Sequence, residues 1–194
     1  MVFAKARATL THINPQRPSV DNTPQLFASY PSLAEIPFME QPKLRFAVGT
    51  FDTWQQVSVA LHDLRVRGLL LNSFNCLALE LVFGGKTILA PDQQPIVIEV
   101  LSFPDSPNPI ASTCGPLADC LSGRLRAGAK SLNEALAHWL IPRHAAHFQD
   151  AVEAGKILFW IPLTDADDER RAYQTLLAHS SNSVGVHDLA LPGE

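Results

Sequence analysis

The sequence has no apolar run approaching the roughly 20 residues that span a bilayer; its longest uncharged apolar stretches, such as Ile157 to Leu163, stop far short of that. A membrane-spanning segment, and with it a membrane partner, is therefore not expected. Basic residues are also short, with 15 Lys plus Arg against 19 Asp plus Glu and a net charge of -4, and no basic cluster interleaved with aromatics occurs. That balance argues against nucleic acid as a partner, because phosphate binding needs concentrated positive charge. Cysteine is sparse as well. Cys76, Cys114 and Cys120 are odd in number and contain no C-x-x-C, which argues against a disulfide framework or a zinc cluster and for reduced thiols. Met1 to Ile13 lacks a continuous apolar core and a small-residue cleavage site, so no secretory signal is read there and a cytoplasmic location is expected.

What is present is an apolar, moderately charged chain of 194 residues, 46% hydrophobic and 18% charged. This is enough for a sizeable core and excludes disorder for its bulk. Residues 1–43 carry Pro15, Pro18, Pro24, Pro31, Pro37 and Pro42, a density that blocks long helices and central strands. They read as an extended arm, anchored by apolar residues that include Phe27 and Tyr30.

From Leu44 a strand is expected to Phe51, followed by a helix capped by Asp52 and Gln55, with Trp54, Val57, Leu61 and Leu64 on its apolar face and Gly68 at its stop. A second strand is centred on Phe74 to Leu81, and a third runs from Ile96 to Phe103. Pro104 to Ala111 reads as a loop, Gly115 to Leu125 as a short helix interrupted by Gly123, and Ser131–Glu134 as a capping box opening a helix through Trp139. Pro142 begins another helix that Gly155 ends. Ile157 to Leu163 is a strand, Asp165 to His179 an acid-started helix and Val184 to Leu189 a closing strand.

Strand, helix, strand, then strand, helix, strand is the split βαβ order of an α+β, ferredoxin-like core. Residues 44–189 form the single domain, an insertion at about 84–154 carries one extra strand and two or three helices, and 190–194 is a tail. Leu44 to Phe51 and Ile157 to Leu163 should lie side by side at the sheet centre.

At Gly115-Pro116-Leu117-Ala118, and from Leu140-Ile141-Pro142-Arg143-His144 through Ala154-Gly155-Lys156-Ile157-Leu158, the chain resembles small bacterial proteins called general-stress or heat-induced stress proteins. The resemblance covers roughly 44–51 and 115–189 and implies a stress-related setting; that family brings no established activity or catalytic residues. Arg124, Arg126 and Lys130 interrupt what is often a Gly-rich apolar hairpin there, which removes any membrane association such a hairpin implies.

Few residues suggest chemistry. His144 and His147 stand at i and i+3 on one helix, with Asp150 a turn further, and are the metal or catalytic candidates. The spacing is not that of H-E-x-x-H, so a polar helix face is the preferred reading and no metal or cofactor is expected. Asp165, Asp167, Asp168 and Glu169 sit where a helix starts and complement its dipole. Cys114 and Cys120 invite a redox reading if brought together or if a helix N-terminus lowers one thiol pKa, with buried or idle thiols the preferred reading. Gly84-Gly85-Lys86-Thr87 ends like a P-loop, but Glu80 stands where its first glycine would be. His187 is expected at solvent or a sheet edge. Alternation in Ile157 to Ile161 turns Leu158 and Trp160 to the sheet face opposite Ile157, Phe159 and Ile161, where the arm, the inserted helices or a second subunit must cover them. The expectation is a homodimer with Leu158, Trp160, Phe27 and Tyr30 at its interface, working as a non-catalytic binding or self-associating module; the alternative is an enzyme or small-ligand sensor whose pocket lies between sheet and insertion.

Overall fold

The structure, a computed structural model, describes residues 43–69, 74–84 and 95–190. The proline-rich arm, with Phe27 and Tyr30, and the tail at 191–194 lie outside them. The elements run β1 (Lys43–Phe51), α1 (Trp54–Val66), β2 (Asn75–Leu79), α2 (Glu80–Phe83), β3 (Ile98–Leu101), β4 (Ile110–Thr113), α3 (Pro116–Arg126), α4 (Leu132–Leu136), α5 (Pro142–Glu153), β5 (Ile157–Leu163), α6 (Ala166–His179) and β6 (Val184–Ala190).

The six strands form one antiparallel sheet in the order β3-β4-β2-β5-β1-β6. As expected, β1 and β5 are neighbours, in a register that sets Val48 opposite Trp160 and Phe51 opposite Ile157. Every residue from Ile157 to Ile161 is buried, because helices cover both faces. That explains the unbroken apolar run: a strand buried on two sides cannot alternate with polar residues. On one face Ala47, Phe51, Cys76, Ile157, Phe159 and Ile161 pack under α1 and α6. On the other, Phe46, Val48, Leu77, Leu158 and Trp160 pack under α3, α4 and α5. The cover over Leu158 and Trp160 is therefore the inserted helices, chiefly Leu136 and Phe148, and the expectation that these two residues form an intermolecular interface is corrected, since both are fully enclosed.

Among the described residues, 95–154 holds two strands where one was expected in the insertion. Ile110–Thr113 is the addition, and Ile110 and Ala111 belong to it rather than to a loop. Four residues after Pro109 carry almost no strand signal of their own; pairing with β2 and β3 on both sides makes them one. Helix caps mostly follow the sequence, with one shift: Thr53 and Gln56, not Asp52 and Gln55, make the capping box of α1. Asp52 instead pairs with Lys156 at 3.1 Å. Gly123 does not interrupt α3, and α4 ends at Leu136, short of Trp139. Gly155, at φ +80°, ends the helix that Pro142 begins. Its N–H donates to Val152 and the next one, from Lys156, to Ala151, a tight C-terminal turn that delivers the chain into β5. Among the described residues, no helix is long and apolar enough to cross a membrane.

Candidate functional site

α5 presents His144, His147 and Asp150 near its outer surface, and they do not converge. His147 and Asp150 are exposed, whereas His144 is half-buried and turns toward β6. There it meets His187, the two imidazoles lying edge to face with ring centres 5.2 Å apart. His187 is on an edge strand, as expected, but its ring is turned inward, and it packs against Phe148 at 5.4 Å and Trp160 at 6.2 Å. Two features of β6 allow this. Alternation puts Gly185, His187 and Leu189 on the face shared with the buried Leu189. Gly185 leaves room, since a Cβ there would come within 2.8 Å of the His187 Nε2.

Burial, then the neighbouring His144, hold the His187 imidazole below its ordinary pKa, with Asp188 pulling the other way. Asp188 is itself engaged, 3.7 Å from Arg45, which also pairs with Glu169 at 2.8 Å. At the rim of the seam, His147 Nε2 and Ser183 Oγ are hydrogen-bonded at 3.0 Å. In its floor, the Trp160 indole N–H is buried and has no hydrogen-bond partner among the described residues. Sequence reasoning missed the His144–His187 pairing because the partners come from elements far apart in the chain; the usable signal was Leu189, whose apolar side chain sets the inward face of β6.

The acidic cluster and the cysteines are accounted for by structure, whereas Gly85, Lys86 and Thr87 of the P-loop-like turn lie outside the described residues. Among the described residues, no group of three or more His, Cys, Asp or Glu is placed to hold a metal ion. Asp165 is the N-cap of α6, accepting from the Asp168 N–H at 2.7 Å, while Asp167 and Asp168 pair with Arg170 and Arg171 at 2.8 and 2.7 Å. Gly84 is the left-handed end of the one-turn helix α2. Burial pushes all three thiols up, helped at Cys114 by Glu99 and Asp119 and at Cys120 by Asp119, so none is an activated thiolate.

A second polar cluster closes the opposite part of the insertion. Asn75, fully buried, donates from Nδ2 to the Thr113 carbonyl at 2.9 Å and accepts from the Leu117 N–H at 3.4 Å. Thr113 Oγ1 in turn accepts from the Cys76 N–H at 2.9 Å. The Glu99 carboxylate accepts from the Ser122 hydroxyl, tying edge strand β3 to α3. These bonds satisfy backbone groups where β4 turns into α3, a structural task. Compared with known proteins, the chain matches no family model, no curated protein and no solved structure.

Proposed function

We propose that the chain is a non-catalytic, self-associating module with a ferredoxin-like core, working in the cytoplasm in the stress-related setting that its resemblance implies. The order β2-β5-β1-β6, with α1 and α6 on one face, supports the core assignment; β3, β4 and α3–α5 are then the insertion. The space where an enzyme or sensor pocket was expected is packed with Leu136, Phe148, Leu158 and Trp160, which favours association over small-molecule chemistry.

The observation that carries the reading is β6. It is a seven-residue edge strand that, among the described residues, pairs only with β1. It carries neither Pro nor Lys, the common means of blunting an edge. On its α6 side the edge is flanked by an apolar stripe. Tyr173 and Leu177, one turn apart on α6, are 40% and 60% exposed. At 100° per residue they stand roughly opposite Arg171 and His179, which face α1 through the Arg67 carbonyl and Asp63. They therefore stand on the side of α6 away from α1, where α6 borders β6. A second copy pairing antiparallel along β6 would extend the sheet and cover both residues.

Light scattering on the full chain at tens of micromolar tests this. A mass near twice 21.2 kDa is expected. The double substitution Tyr173→Asp, Leu177→Asp, at two exposed positions, is expected to return the monomer with an unchanged circular dichroism spectrum. A monomeric wild type, or a double variant that still dimerises, defeats the proposal.

A further inference from the structure

We propose that His144 and His187 form a pH-sensitive clasp between α5 and β6, and that acidification through the histidine range frees α5 from β6. The clasp does not depend on self-association, because both residues belong to one chain.

The geometry makes the pair a switch. The imidazoles are in contact edge to face at 5.2 Å, so one neutral ring accommodates the other, whereas two imidazolium ions at that separation repel. His187 is half-buried, packed against Phe148 from α5 and Trp160 from β5 and beside Gly185 on its own strand, which limits its access to water. The charged and titratable groups facing it leave the imbalance in place. From α5 come His144 and, at the rim, His147, which is held by Ser183. From β5 comes only the uncharged indole of Trp160, and from β1 the paired residue is Phe46, uncharged as well. Among the described residues, Asp188, on β6 itself, is the carboxylate that favours protonation, and it already shares Arg45 with Glu169. The unpartnered indole N–H of Trp160 beneath the pair gives the seam one unsatisfied donor that release of α5 would hydrate.

The direction of the pH effect follows. Burial and His144 hold His187 below its ordinary pKa, so on acidification the open or unfolded state takes up its proton first. The clasp is at full strength above the ordinary histidine value of about 6.5. It weakens as the pH falls below that value, until His187 is protonated in the closed state too.

Hydrogen exchange of the full chain at pH ~7.5 and ~5.5, on either side of the histidine range and corrected for intrinsic rates, reads this directly. The expected result is exchange several-fold faster at the lower pH across residues 142–153 of α5, with no comparable change in α1. His187→Phe is expected to abolish that difference, and His144→Gln to reduce it, because burial of His187 persists without its neighbour. The half-buried His144 position keeps the test open if His187→Phe fails to fold. Equal protection of α5 at both pH values in the wild type overturns the clasp, as does a pH difference that is undiminished in His144→Gln. An imidazole NMR titration in which His187 has the ordinary pKa, unmoved by His144→Gln, overturns it as well.

Discussion

Asn75 shows how one buried amide organises a junction between elements. Its side chain satisfies the Thr113 carbonyl and the Leu117 N–H, two backbone groups that lose their regular partners where β4 stops and α3 begins. Gly115, between them, has φ +149°, and a Cβ built there would lie 2.7 Å from the Asn75 Nδ2. Glycine is thus required twice, by the backbone conformation and by the close approach of the amide. Asn75→Ala should cost about 1–3 kcal/mol, the usual penalty for stranding buried polar groups. Gly115→Ala should cost at least as much, because it adds strain to the loss of the same contacts. Urea denaturation of both variants checks this. A Gly115→Ala protein as stable as the wild type would mean that Asn75 can move away without penalty.

At the scale of elements, α6 illustrates why an acidic cluster is not by itself a cation site. Asp165 caps the helix through the Asp168 N–H, Asp168 pairs with the half-buried Arg171, and Asp167 reaches only the exposed Arg170. These roles differ in weight. Asp165→Ala should cost about 1 kcal/mol, as expected for a lost N-cap. Asp167→Ala should cost little, because a solvent-exposed i,i+3 pair gives a small return. Thermal melts of the two variants distinguish the readings: equal losses, restored by added calcium or magnesium, would make the cluster a cation site after all. The short helices follow the same logic of context. α4 is a single capped turn, too short to persist alone, and is held by Leu132 and Leu136 in the core above Trp160.

At the scale of the whole molecule, one sheet carries two hydrophobic layers, with α1 and α6 on one side and α3–α5 on the other. Among the described residues both faces of the sheet are covered by helices, which leaves edges and outer helix surfaces for the proposed association. β6 with Tyr173 and Leu177 is the more continuous of these, since the opposite edge, β3, is four residues long. If the dimer forms by that edge, folding and association are linked, and the unfolding temperature should rise with protein concentration. Calorimetry over a hundredfold concentration range checks it; a concentration-independent midpoint would point to a folded monomer.

The sequence by itself determined the elements whose signals are local. These include the Ser131 and Asp165 caps, Pro142 and Gly155 at the two ends of α5, the acid-started α6, and the apolar β5. Each rests on residues within a turn or two of one another, where propensity, capping and periodicity act. Only the tertiary structure decided the rest. Pairing on both sides made a strand of Ile110–Thr113, and Leu136 and Phe148 rather than a second subunit came to cover Leu158 and Trp160. His187 from the last strand met His144 rather than solvent. Such contacts join residues tens of positions apart, and their energy comes from burial shared among several elements, which leaves no periodic trace in any one of them.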